Sequence, residues 1–343
     1  MCEKEVAGRV APESPGANQT NGLKTTQAAH LQKAPERASC GPILTMSTNR
    51  LIFSALFFLC SLGSAQEKVL VRAHWEPGKK YVQQTEMQTS SSLTPAPGQT
   101  VEQKLTMNQT TGIVVRPESA APNKRLEVTF ESVTGTLDFM GGNYKFDSKD
   151  PQAAHPLLRQ ALSGTAGKSF GLVYDGEDRF VKVIDTEKLS SDGTSITGLA
   201  AAADAQQIAN LFQQSLELGY PKEPVAVGEK WSSEETMIFP QAGEAKVSIQ
   251  SKFAEEVMRE GRKHAKITFE GKISSVEKAD EVGECRVSLG NESTVAGQLF
   301  FDTERRVVSL SVFLSNITLK ISGNSIPMRQ QVTTRLASIT DQP

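Results

Sequence analysis

Apolar and polar residues alternate with a period of two along most of this chain, and that period dictates β-strands. Val69, Val71, Ala73 and Trp75 interleave with Leu70, Arg72 and His74. Val101, Gln103, Leu105 and Met107 form a second set. Leu126, Val128 and Phe130 fall opposite Glu127, Thr129 and Glu131, and Ala265, Ile267 and Phe269 fall opposite Lys266, Thr268 and Glu270. Val308, Leu310, Val312 and Leu314 share one face, after which the phase flips and Ile317, Leu319 and Ile321 continue. A bulge or tight turn is expected at Ser315–Asn316 to absorb that flip. Such alternation implies sheets with one face on a core and the other toward water. Helical periodicity is confined to two stretches. Ile208, Leu211, Phe212 and Leu216 recur at three- and four-residue spacing within a run from Leu199, and Gly219 and Pro221 end it. A shorter helix is expected from Pro156 to Leu162.

The strands on either side of the longer helix resemble one another. Gly78-Lys-Lys-Tyr81 answers to Gly228-Glu-Lys-Trp231, and Val128-Thr-Phe-Glu131 answers to Ile267-Thr-Phe-Glu270. The segment Leu172–Val183 with Asp175-Gly176 answers to Leu299–Leu310 with Asp302-Thr303. Each of these acids is expected to open a hairpin, bonding its own backbone two residues on. A third hairpin is expected over Leu137–Phe146, with Gly141-Gly142-Asn143 supplying its positive φ angles and Phe139, Met140 and Tyr144 near its tip. Three anchors in the same order read as an internal duplication. The fold class is mainly β: two related antiparallel β lobes, curved sheets or half-barrels, joined by a helix. The first lobe covers residues 66–197, the connecting helix 198–219 and the second lobe 220–340.

Before the first lobe stands an export signal. From Met46 the chain reads Ser-Thr-Asn-Arg50, then an apolar run from Leu51 to Leu62, then Gly63-Ser64-Ala65. That is a basic n-region, an h-region and a small-residue cleavage site, so residues 46–65 are expected to be a signal peptide cut after Ala65. Twelve apolar residues span about 18 Å of helix, against about 30 Å for a bilayer core, so 51–62 is not expected to be a transmembrane helix, and no stable transmembrane span is expected in the mature chain. Residues 1–45 have no apolar periodicity and cannot offset their ordering entropy. They read as a disordered extension upstream of the working start at Met46. The site of action is then periplasmic or extracellular. Cys60, late in the apolar run, lacks the small neighbour of a lipidation box. Cleavage removes Cys2, Cys40 and Cys60, leaving Cys285 in a strand-like run and no internal disulfide.

Chemistry is sparse. Thirty-seven basic residues balance 39 acidic ones with no basic stripe, which argues against a nucleic-acid partner. His74, His155 and His264 lie far apart and have no metal-ligand spacing. No nucleophile elbow is present. The phosphate-loop pattern around Gly167-Lys168-Ser169 fails because Leu162 stands where its first glycine is needed. Adjacent acids such as Glu177-Asp178 and Glu255-Glu256 would point to opposite faces of a strand and are expected to be solvated surface. The expectation is a protein with no catalytic residues, no metal and no cofactor.

Tyr220-Pro-Lys-Glu-Pro-Val-Ala-Val-Gly-Glu-Lys-Trp231 resembles the Pro-Val-x-Val-Gly-x-x-Trp segment that introduces the second lobe in an exported bacterial β-rich family of unknown function. The turn Leu299-Phe-Phe-Asp302 resembles that family's recurring Phe-Asp turn. These are turn and packing residues, and the family carries no established activity. The layout is also similar, coarsely, to half-barrel carriers of lipids and lipoproteins in the bacterial envelope. The resulting expectation is a non-catalytic envelope protein for binding or scaffolding, its partner a lipid or an envelope protein. The weak candidates for an apolar ligand site are Phe130, Phe269, Leu310 and Leu314. The alternatives are a subunit of a surface assembly and, more remotely, a hydrolase.

Overall fold

In the computed structural model the described residues are 67–342, apart from 97–98, 120–121, 157, 160–165, 190–204, 240–242, 277–286, 291 and 322–323. The expected signal peptide, Cys285 and the start of the expected connecting helix lie outside them. The alternating segments form β1 (Lys79–Ala96), β2 (Gln99–Pro117), β3 (Lys124–Phe139), β4 (Gly142–Asp147), β5 (Ser169–Tyr174) and β6 (Phe180–Ile184). The helix α1 (Ala205–Glu217) comes next. Then follow β7 (Lys230–Phe239), β8 (Gly243–Arg259), β9 (Arg262–Ser275), β10 (Val287–Leu289), β11 (Thr294–Asp302), β12 (Val307–Ile321) and β13 (Asn324–Asp341). Of the shorter expected helix, the described part shows one helical bond, from Arg159 N–H to His155 C=O at 3.0 Å.

All thirteen strands join one curved antiparallel sheet, ordered β6-β5-β3-β2-β1-β13-β12-β11-β9-β8-β7, with β4 on β3 and β10 on β12. The two expected lobes are thus halves of a single continuous sheet. β1 pairs with β13 from Lys79↔Asp341 to Ser91↔Met328, and this ladder is the seam. The halves still run in the same order, since β1-β2-β3-β5-β6 and β7-β8-β9-β11-β12 are both meanders. Gly78 (φ 82°) and Gly228 (φ 91°) precede β1 and β7, each in the left-handed backbone that glycine adopts without strain. Asp175 Oδ1 accepts the Glu177 N–H at 2.8 Å, and Asp302 Oδ1 accepts the Glu304 N–H at 3.1 Å. A bulge follows each turn at the same place, at Val181 and at Ser309.

Three local expectations are corrected. Residues 69–75 are not a strand but an extended strap. Val69 bridges Val225, the His74 N–H reaches Arg306 C=O at 2.7 Å, and the Trp75 N–H reaches Asp178 Oδ1 at 3.2 Å. Its backbone groups therefore find partners on three separate loops instead of one neighbouring strand. Second, β12 pairs with β13 without a shift from Leu310↔Arg335 to Ile321↔Asn324, so no bulge lies at Ser315–Asn316. The apolar residues change faces within a regular strand. Third, the β3–β4 turn is Met140 (φ 51°) and Gly141 (φ 78°), because Phe139 pairs with Gly142 and two central residues must take positive φ. Met140 is left 73 % exposed at the tip, while Tyr144 packs with Val133 and Phe146.

Candidate binding trough on the inner face

One face of the sheet carries the core, and two elements cover part of it. α1 lays Ile208, Ala209, Phe212 and Leu216 on the cluster of Phe130, Phe170 and Leu172, with the Phe212 ring 5.5 Å from Phe170 and 6.2 Å from Phe130. Gly219 follows at φ 79°, where the helix stops. α1 touches both edge strands, β6 and β7. Gln214 Nε2 donates to Thr236 C=O at 3.2 Å, and Trp231 Nε1 donates to Gly219 C=O at 2.8 Å. The strap adds Val71 to a second cluster with Phe253, Ile267 and Phe301. No helix among the described residues is long and apolar enough to cross a membrane.

Strand register builds a continuous row across the middle of this inner face. Met107 sits opposite Met87, Met87 opposite Val332, and Val332 opposite Phe313. Phe313 faces Gly297, which faces Phe269. Met107, Met87, Val332 and Phe313 are all half-buried. Gly297 is required here: a Cβ would come within 2.5 Å of the Phe269 ring and 2.2 Å of the Val312 carbonyl oxygen. Without it the Phe269 ring reaches Phe313, centroids 5.6 Å apart. A polar row flanks this stripe on each side. Thr85 and Thr334 share a hydrogen bond at 3.0 Å on one side. On the other, Gln330 Nε2 lies 3.2 Å from both Thr89 Oγ1 and Met87 Sδ. Beside Gln330, the buried Ser315 hydroxyl has no hydrogen-bond partner among the described residues.

These three rows contain no charged side chain. The opposite face of the same strands bears Glu86, Lys104, Arg329 and Arg335. An uncharged row of thioethers, aromatic rings and a valine, flanked by amides and hydroxyls, suits an apolar chain ending in a neutral polar group. Methionine adapts its shape to such a ligand.

The four sequence candidates do not meet. Phe269 lies in the central row. Phe130 is 4 % exposed and fills the core beneath α1. Leu310 and Leu314 belong to the outer face, because they pair with Arg335 and Gln331 in the register that points Phe313 and Ile317 inward. Of the four, only Phe269 therefore stands in the Met–Val–Phe row. Met87, Val332 and Phe313 escaped the sequence reading. Their one signal is neutrality: Thr85, Met87 and Thr89 alternate with Gln84, Glu86 and Gln88. The histidines are separated. His74 Nδ1 is 2.8 Å from Asp178, His155 lies against the Tyr144 ring at 4.5 Å, and the buried His264 faces Asp302 at 3.9 Å.

No curated protein matches the chain in sequence. Among solved structures the chain is similar to lipovitellin, in a structure titled for lipid–protein interactions, at 11 % identity and a TM-score of 0.45. That match covers 79 % of this chain and 26 % of lipovitellin, so the chain spans about a quarter of that protein. A second similarity is to the translocator domain of the autotransporter NalP from Neisseria meningitidis, at 7 % identity and a TM-score of 0.21. It covers 76 % of this chain and 89 % of that domain. Likeness at this level carries no argument about activity. The family comparison is firmer: residues 121–305, more than half of the sequence, match the model of a family of unknown function, and the chain belongs to that family, DUF6263.

Proposed function

We propose that this protein is an exported, non-catalytic binding protein of the cell envelope that holds an apolar or lipid ligand along the inner-face row. The observation that carries the reading is the uncharged, half-buried Met107–Met87–Val332–Phe313 stripe between two polar rows. The signal-like segment at 46–65 supports its place outside the cytoplasm.

A fluorescent fatty-acid analogue titrated into purified protein tests the reading, alongside solvent extraction and mass spectrometry of what co-purifies. Met87→Gln and Val332→Thr polarise the stripe with little change of volume. Each is expected to weaken the analogue about tenfold, the loss of roughly one buried apolar side chain. Leu314→Thr, on the outer face, is expected to leave it unchanged. Absence of any bound lipid, or equal loss in the Leu314 variant, would overturn the assignment and favour a subunit of a surface assembly.

A further inference from the structure

The outer face holds a second feature, a shallow cavity of about 750 Å³ at the end of the sheet where β1 ends and β2 begins and where β12 ends and β13 begins. Its floor is a row across five strands. Asp138 pairs with Lys104, Lys104 with Ser90, Ser90 with Arg329, and Arg329 with Asn316. Side chains in one such row point the same way. Lys104 and Arg329 stand one strand to either side of Ser90, about 10 Å apart at the backbone, and both are long enough to converge above its hydroxyl. Glu102, two residues along β2, joins the same face, and Glu292 lines the far wall.

Five charged groups thus share one cavity, yet no ion pair joins any of them among the described residues. Asp138 accepts a hydrogen bond from Asn143, and Glu102, Lys104 and Arg329 have no side-chain partner among the described residues. Elsewhere on this face opposite charges do close on one another, as Lys80 with Glu131 at 2.6 Å and Lys266 with Glu255 at 2.8 Å. In the cavity the two cations hold the centre and the acids stand around them. A simple anion would meet two cations and three carboxylates. A simple cation would meet the same five groups, two of them repelling it. A group carrying both charges satisfies both sets at once.

We infer that this cavity binds an ammonium–phosphate zwitterion, with phosphate between Lys104 and Arg329 over Ser90 and ammonium on Glu102 and Asp138. Two sources share this chemistry, a free phosphoethanolamine-type solute and the headgroup of a zwitterionic phospholipid. Guanidinium and ammonium donors to phosphate are the strong, charge-assisted kind. The site lies on the face opposite the trough, so it stands or falls separately from the apolar-ligand reading.

Isothermal titration of the purified protein with phosphoethanolamine, ethanolamine and inorganic phosphate tests it. Phosphoethanolamine is expected to bind at least about tenfold more tightly than either half alone. The variant Lys104→Ala/Arg329→Ala is expected to lose about tenfold or more. Glu102→Gln/Asp138→Asn should reduce phosphoethanolamine to the affinity of phosphate alone. Both pairs are exposed, and the far-ultraviolet circular dichroism and urea midpoint of each variant report that it is folded. Co-sedimentation with phosphatidylethanolamine vesicles then separates the sources: pelleting assigns the headgroup, and its absence with solute binding retained assigns the free solute. No heat with phosphoethanolamine at millimolar concentration, equal affinity for phosphate alone, or indifference to both double variants would overturn the proposal.

Discussion

Two buried acids and one glycine carry the sharpest consequences at the scale of single residues. Asp178, with a side chain 4 % exposed, accepts hydrogen bonds from Lys124 Nζ, His74 and the Trp75 N–H, and Lys124 also donates to Trp75 C=O at 3.0 Å. Burial alone would push this carboxyl up, but the bonds from Lys124, His74 and Trp75 override it and hold it below the usual carboxylate range. Asp302 is held low in the same way, its burial outweighed by Arg305 and by nearby His264. A depressed folded-state value contributes stability above the unfolded value, about pH 3.9, and loses it as pH falls through the folded value. Urea midpoints measured between pH 7 and pH 2 should therefore drop below about pH 4, and Asp178→Asn should flatten that drop. At neutral pH the same substitution leaves Lys124 buried without its carboxylate and should cost about 3 kcal/mol. Gly297→Ala should cost about 2 kcal/mol, since the backbone carbonyl of Val312 cannot yield to the new methyl. An unchanged urea midpoint for Gly297→Ala would contradict the close approach of Phe269.

At the scale of elements, α1 and the strap do the work of a second layer. Phe212 is the central anchor of α1, so Phe212→Ala should cost about 3 kcal/mol by the loss of an aromatic side chain from a packed site. Trp231→Phe keeps most of the ring and removes the bond to Gly219 C=O, which predicts a smaller cost, about 1 kcal/mol. Equal losses for the two variants in thermal or urea melts would show that the indole is held by packing rather than by its donor. The strap illustrates what a period of two can and cannot say. Val71 and Trp75 are buried as their alternation demands, yet the segment has no strand beside it. In the strap, alternation reports which side chains face the core, whereas a strand also needs a neighbour for its N–H and C=O groups.

For the whole molecule the seam between β1 and β13 decides how the two halves behave. Thirteen residue pairs cross it, and β13 returns to β12 over twelve more. Residues 67–342 should consequently unfold in one transition, seen together by circular dichroism and by fluorescence of Trp75 and Trp231. Two separated transitions would mean that the halves are independent units. Residues 66–197 expressed alone would present β1 as a long bare edge, the arrangement that invites strand-to-strand association. That fragment is expected to aggregate or dimerise by light scattering, where the intact chain does not.

Local chemistry alone determined the strands around Leu126–Phe130 and Ala265–Phe269, the stop at Gly219, the Asp175 and Asp302 turns and the repeated order of the halves. Each rests on contacts within a few residues: alternation, an Asx bond, a left-handed glycine. The tertiary structure decided the rest. Leu310 and Phe313 are both apolar neighbours on β12, and only pairing with β11 and β13 settles which of them faces inward. The union of the halves depends on β1 meeting a strand some 240 residues away, as in Gln88↔Gln331. Neither choice leaves a periodicity to read, because register is a property of two strands and a sequence displays one at a time.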